Sequence, residues 1–191
     1  FEVARELDKH PAVASTLRLA CWPTFPVRYK GRGFTEQRLL LADSNFFDFF
    51  SFKLIEGNRD SVLTGERKIV LSRSAAKRYF DYDGTGGNSP LGQTLILAQG
   101  YTAKVSGIVE DAPLQSHFHY SLILSMKSWE PFESRDLLNN KVLTYYKVKP
   151  GSAPSVHREL TEQLNARLGR ELGERRLADL NAMKKQGDAA R

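Results

Sequence analysis

Five consecutive residues, Phe46-Phe-Asp-Phe-Phe50, place four aromatic rings within little more than one helical turn. Rings at four of five successive positions cannot share one side of a helix, so a helix here must be buried on most of its faces. The partners have to come from elsewhere in the chain. With 41% hydrophobic residues, the 191-residue chain can supply them from a real core. Asp43 or Ser44 is placed to cap this helix by accepting a backbone N–H. The pattern predicts a wedge between two parts of the domain, with at least two of Phe46, Phe47, Phe49 and Phe50 buried.

The flanking stretches read as mixed strands and helices. Residues 2–10 form the end of an amphipathic helix stopped by Pro11, and Val13, Ser15, Leu17 and Leu19 share one side of a strand. Residues 25–29 and 34–41 flank Lys30-Gly-Arg-Gly33, whose glycines can supply the positive φ of a hairpin turn. After the aromatic helix, the apolar run 52–55 stops at Gly57. Lys68-Ile-Val-Leu71 is then a strand feeding a helix capped by Ser72 or Ser74. Residues 81–90 form a loop, and 93–98 and 101–110 a hairpin turning at Gln99-Gly100. Residues 117–125 read as a strand, 127–140 as a helix or irregular excursion, and 141–149 as a strand. Gly151 and Pro154 open a last helix whose Val156, Leu160, Leu164, Leu168 and Leu172 make an apolar stripe read as core. The order argues α+β, with residues 1–175 as one domain of one or two subdomains and 176–191 as a charged tail or tether.

Composition narrows the function classes. The net charge of +6 is dispersed, with eight Lys/Arg against six Asp/Glu over residues 151–191. The basic groups that stand out are Arg28, Lys30, Arg32 and Arg38 on the hairpin, and Arg67, Lys68, Arg73, Lys77 and Arg78 around the strand-to-helix turn. Without interleaved aromatics or a nucleic-acid motif these read as solvated faces, and no nucleic-acid partner is expected. The hairpin group is kept as a rival reading, a basic module for an anionic partner. A single cysteine, Cys21, excludes an internal disulfide and is read as a buried structural thiol. No apolar run approaches the roughly 20 residues of a membrane-spanning helix.

The metal candidate is His117-Phe-His119, because two imidazoles two residues apart on a strand project to one face. A third ligand would have to come from Glu110, Asp111, His10 or His157, none at a recognised spacing. A metal-dependent enzyme is the second rival. The chain has no Gly-x-Ser-x-Gly elbow, and Gly84-Thr-Gly-Gly87 lacks the Lys-Ser/Thr of a phosphate loop.

Four stretches in order carry a family resemblance: Ala42-Asp-Ser-Asn-Phe-Phe-Asp-Phe-Phe-Ser-Phe-Lys-Leu-Ile-Glu-Gly57, Ile69-Val-Leu-Ser-Arg-Ser-Ala-Ala-Lys-Arg-Tyr-Phe80, Pro90-Leu-Gly-Gln-Thr-Leu95 and Tyr101-Thr-Ala-Lys-Val-Ser-Gly-Ile-Val-Glu-Asp111. Together they resemble the MacB-like periplasmic core domain of ABC transporter permeases of the MacB/FtsX type. Ala112-Pro-Leu-Gln-Ser-His-Phe-His-Tyr120 looks like the variant common in Bacteroidetes-type permeases. The resemblance covers the first two thirds of the chain. It implies an α+β extracytoplasmic domain with a porter-like part and a second inserted part with β-hairpins, lying between two membrane helices of an inner-membrane permease.

The implied role is to couple cytoplasmic ATP hydrolysis to movement of a periplasmic partner or substrate. The domain itself would have no catalytic, metal-binding or cofactor-binding residues and no cofactor. Implied partners are the permease's own transmembrane helices and a cytoplasmic ATPase domain or subunit, with a second permease copy and a periplasmic adaptor or lipoprotein as further candidates. The family-motif residues, Phe46, Phe47, Phe50, Gly57, Ser72, Ala76, Phe80, Gly92 and Gly107, are then expected to be fold determinants. A late start relative to the family's first strand and helix, and the Gly-rich loop 83–89, are departures from its pattern.

Overall fold

The computed structural model describes residues 2–84, 87–128 and 142–189. Its helices are α1 (Glu2–Leu7), α2 (Phe46–Phe49), α3 (Arg73–Phe80) and α4 (Val156–Ala189). Its strands are β1 (Val13–Tyr29), β2 (Arg32–Ala42), β3 (Leu54–Glu56), β4 (Lys68–Ser72), β5 (Thr94–Ile96), β6 (Thr102–Val109), β7 (Leu122–Ser125) and β8 (Leu143–Val148). This is an α+β fold. Contacts group the chain into two units, Leu17–Tyr145 and Glu2–Thr16 with Tyr146–Arg191, so β1 and β8 each give residues to both. The excursion expected at 127–140 begins with a 3₁₀ turn at Met126–Ser128 and otherwise lies outside the described residues.

In the first unit six strands pair in the order β2-β7-β4-β6-β5-β1, and β3 adds to β6. β1 also pairs with β2, so the path of pairing returns to its start. β2–β7 and β4–β6 are parallel. Parallel neighbours need a long crossover, which α3 and β5 provide between β4 and β6. The β1–β2 ribbon turns at Lys30-Gly31 with φ of 45° and 78°, the two-residue form whose twist suits a hairpin. Gly31 therefore acts as expected. Gly33, by contrast, lies inside β2 opposite Arg28, and Lys30 takes the other left-handed position.

The central strands are buried on both faces. Leu39 and Leu41 of β2 enter one core cluster, and Leu40 and Ala42 enter another. β4 divides in the same way, Ile69 and Leu71 against Val70, as does β7, Leu122 and Leu124 against Ile123. This explains why these stretches are unbroken apolar runs instead of alternating ones. One face is covered by Ala75, Ala76 and Tyr79 of α3. The other is covered by the aromatic wedge.

Phe46 and Phe47 are 0% and 1% exposed, while Phe49 and Phe50 are half-buried. The Phe46 ring meets those of Phe47, Phe50 and Phe52 at 5.1, 5.6 and 5.6 Å between centroids, the last stacked. The wedge belongs wholly to the first unit's core, not to a junction between two parts. Its N-cap is Asn45, not Asp43 or Ser44. Asp43 is taken by Arg18, whose Nη2 and Nε donate to the carboxylate at 2.7–3.1 Å.

In the second unit Leu7, Val13, Val156 and Leu160 form a small core with Leu164 at its edge. The apolar stripe of α4 is thus core only in its first turns, and Leu172 is 51% exposed. The backbone of α4 continues helical to Ala189 through the stretch expected as a tail. Among the described residues no helix is long and apolar enough to cross a membrane.

Truncating Phe46 to Ala should cost about 3–5 kcal/mol, because a fully enclosed ring leaves a cavity its neighbours cannot collapse into. Phe49→Ala, at a half-buried position, should cost roughly 1 kcal/mol. Denaturant unfolding of the two variants tests the ranking.

Candidate functional site

Of the residues expected as fold determinants, Phe46, Phe47 and Phe50 lie in the aromatic wedge and the other six fall at two structural nodes. At the first, β6 carries a bulge: Ile69 pairs with Val105 but Val70 pairs with Gly107, leaving Ser106 as the extra residue. The Ser106 hydroxyl lies within hydrogen-bond reach of the carbonyls of Val62 and Ile69. Gly57 (φ 104°) passes so close that a Cβ there would lie 2.6 Å from the Ser106 carbonyl oxygen and 2.9 Å from Gly107 Cα. A Cβ on Gly107 would meet the Glu56 carbonyl oxygen and Val62 Cγ1 at 3.0 Å. Two glycines are needed because two backbones cross. Gly92 (φ 81°) serves conformation alone, its Cβ position being 3.7 Å from the Lys104 side chain. Its N–H donates to the Val105 carbonyl.

At the second node Ser72 is the cap of α3, its Oγ accepting from Ala75 N–H at 3.2 Å, while Ser74 Oγ donates to Asp111 at 2.7 Å. Ala76 is fully buried, and Phe80 packs on Tyr29 of the hairpin at 4.4 Å. Phe34 meets Tyr79 at 4.3 Å. Sequence reasoning did not find Glu36, a carboxylate only 4% exposed whose two oxygens accept from Arg78 Nη2 at 2.7 and 2.8 Å. Its one sequence signal was an acidic residue at an inward position of an alternating strand. Burial, reinforced by Glu36, holds the Tyr79 hydroxyl far above its ordinary pKa. Burial and the hydrogen bond to Glu56 push Tyr82 up to about 12.

The two rival readings gain no support from the geometry. In the basic hairpin, Lys30 lies over Tyr29 and Arg32 over Phe34, each 5.3 Å from the ring centroid. Arg28 and Arg38 are exposed. The strand expected at 117–125 begins at Leu122, so His117 and His119 do not have the strand spacing that would aim both at one ion. His117 Nε2 instead sits 2.7 Å from Tyr145 Oη, and His157 Nδ1 2.8 Å from Tyr146 Oη. Among the described residues no three His, Cys, Asp or Glu side chains group as metal ligands. Cys21 is exposed, against expectation, since it falls on the outward side of β1; partial desolvation still raises its thiol pKa.

In the second unit α1 and α4 are tied by charge as well as by the small core. Glu6 accepts hydrogen bonds from Lys9, Gln163 and Arg167. The Lys9 hydrogen bond leads the effects that hold its carboxyl below the usual value, outweighing desolvation, with Arg167 adding to it.

A closed arrangement of mixed strands, buried on both faces and pinned by a glycine crossing, defines a structural domain of the kind found outside the membrane in ABC transporter permeases. The chain belongs to the MacB-like periplasmic core domain family, whose model matches residues 2–163. It is similar to a domain assigned to a permease from Porphyromonas gingivalis, at 26% identity over 86% of this chain and 69% of that one, with a TM-score of 0.69. It also resembles the periplasmic region of MacB from Actinobacillus actinomycetemcomitans (22% identity, 88% and 73% covered, TM-score 0.66). A third likeness is to the extracellular domain of the noncanonic ABC-type transporter YknZ from Gram-positive bacteria (19% identity, 88% and 83%, 0.62). The last two likenesses speak to the fold. No curated protein sequence matches the chain.

Gly57→Ala should destabilise by about 2–4 kcal/mol, since it meets both an unfavourable φ and immovable backbone, whereas Gly92→Ala should cost about 1 kcal/mol for φ alone. Unfolding midpoints of the two variants measure the difference. A carboxyl with a lowered folded-state pKa contributes stability above its unfolded value, near 4.5 for Glu6, and loses that contribution as pH falls through the lowered value. The destabilisation caused by Glu6→Gln should therefore be present at pH 7 and fade as pH falls from about 4.5 through the lowered value, as read from thermal midpoints across that range.

Proposed function

We propose that this domain is the extracytoplasmic part of an ABC permease, transmitting movement driven by cytoplasmic ATP hydrolysis to a periplasmic partner or substrate without doing chemistry itself. The observation that carries this reading is the packing of α1 against α4 within one unit. A domain inserted between two membrane helices has to bring its first and last elements together, and these two are clamped by Leu7, Val156 and Leu160 and by the Glu6–Arg167 ion pair. At 1.5 Å per residue, the 34 residues of α4 make a rod of roughly 50 Å. A continuous helix conveys displacement along its axis as a flexible linker cannot. The partners on this reading are the permease's transmembrane helices and an ATPase domain or subunit, with a second permease copy and an adaptor or lipoprotein as further candidates. Residues 176–191 would lead towards the membrane. The motif residues Phe46, Phe47, Phe50, Gly57, Ser72, Ala76, Phe80, Gly92 and Gly107 would act as fold determinants, keeping the body that is moved stiff.

The test uses the full permease with its ATPase, reconstituted in vesicles. Arg167→Glu, which sets two carboxylates against each other at the clamp, should leave ATP hydrolysis within about twofold and reduce transport or partner release about tenfold, a loss corresponding to roughly 1.4 kcal/mol. The charge swap Glu6→Arg/Arg167→Glu should restore it. Transport unchanged by Arg167→Glu, or not recovered by the swap, would refute the clamp as the transmitting element.

A further inference from the structure

The first unit holds a cavity of about 440 Å³ that the family motifs do not account for. It lies among the β1–β2 ribbon, β7 and the turn between β5 and β6. Its walls are apolar and aromatic: Trp22 and Phe25 stack at 5.5 Å, and Leu41, Leu97, Leu124 and Tyr101 continue the surface. Among the described residues that line it, Arg67 is the one that carries a charge.

Arg67 is exposed, and it is anchored through both its backbone and its guanidinium. The Arg67 N–H donates to Ser128 Oγ at 2.9 Å, and its carbonyl accepts from Lys104 N–H at 2.7 Å. Its guanidinium donates to Thr102 Oγ1 at 2.8 Å and lies over the Tyr101 ring, 5.1 Å from the centroid. Arg67 and Gln99, which also borders the cavity, are left-handed non-glycine residues with φ of 58° and 55°. Gln99 with Gly100 forms the two-residue turn between β5 and β6, which sets that wall of the cavity.

We propose that this cavity binds a small amphiphilic anion, with an apolar body against Trp22 and Phe25 and a single carboxylate or sulfonate set against Arg67. The volume falls in the range of small-ligand sites and would hold roughly fifteen waters, which an apolar body would release from aromatic walls. The charge selects the sign. A cationic head would meet a guanidinium held in place, and an anionic head would gain a charge-assisted hydrogen bond that an uncharged ligand lacks. A fixed cation loses little freedom on binding, so the attraction is not spent on ordering the side chain. The proposal rests on the cavity alone and does not depend on how the domain transmits movement.

The probe is anilinonaphthalene sulfonate, an apolar anion that fluoresces in a dry site, with decanoate and decyltrimethylammonium as competitors of opposite charge and equal chain. The 191-residue chain should bind the probe at one site, with decanoate displacing it and the cationic amphiphile failing to. Arg67→Gln should weaken binding about tenfold, the loss of one charge-assisted contact. Ala98→Trp, which fills the cavity from its wall, should abolish it, and Arg73→Gln, a cation paired with Glu110 elsewhere on the surface, should leave it unchanged. In the unsubstituted chain, decanoate should shift the Trp22 indole N–H resonance, a readout that needs no folded variant. Multiple equivalent sites, displacement by both amphiphiles alike, or a Trp22 resonance unmoved by decanoate would each overturn the proposal.

Discussion

The close crossing of Gly57 with the Ser106–Gly107 bulge is the contact on which the first unit depends. A bulge twists and bends its strand, and here it lets β6 serve β4 on one side with a register break and β3 on the other. The distance between the crossing backbones is set by the absence of side-chain atoms. No repacking of side chains can compensate for a methyl group placed 2.6 Å from a carbonyl oxygen. Ser106 turns the same defect into attachment, its hydroxyl reaching carbonyls on two other segments. Moving Gly57 would move β3, the Val62–Leu63 turn that packs beneath it and, through Val70 and Val109, the face on which the aromatic wedge rests.

How much of this was legible in the sequence follows from the range over which each interaction acts. The Phe46–Phe50 cluster declared its burial through ring count alone, and the Ser72 cap and the Lys30-Gly31 turn are local geometry that residue type dictates. The parallel pairing of β2 with β7 spans about 80 residues, and nothing in either segment names the other. Both runs, Leu39–Leu41 and Leu122–Leu124, announce burial on two faces without saying against what. Asp43 shows the limit of local reasoning: it had the chemistry of a cap, but Arg18, 25 residues away, competes for its carboxylate with a charge. Cys21 was read as interior because its neighbours are apolar, and Leu172 because it continues the four-residue stripe of α4 past the point where the small core ends. In a strand or helix, though, direction alternates faster than composition, and both are exposed.

The ion pair between buried Glu36 and exposed Arg78 and the cavity beside Arg67 were not readable at all, because each is assembled from distant segments. Glu36 and Arg78 are 42 residues apart, and the cavity draws residues from β1, β2, β7 and the β5–β6 turn. The family resemblance did not supply them either. The family motifs are short local stretches, whereas the ion pair and the cavity join residues that no one stretch contains.

Strongly shifted titratable groups usually direct attention to active sites, and here three tyrosines, Tyr79, Tyr82 and Tyr120, are shifted. The direction of the shift decides what they are for. Proton transfer at neutral pH needs a pKa moved towards 7, while burial moves all three upward from 10, away from it. Each phenol is neutral at neutral pH, and two of the three, Tyr82 and Tyr120, donate a hydrogen bond. Tyr82 donates a hydrogen bond to the Glu56 carboxylate and Tyr120 one to the Glu110 carbonyl, fixing the chain at Tyr82 to β3 and the entry to β7 against the end of β6. These hydroxyls brace the same β3–β6 crossing that the glycines permit.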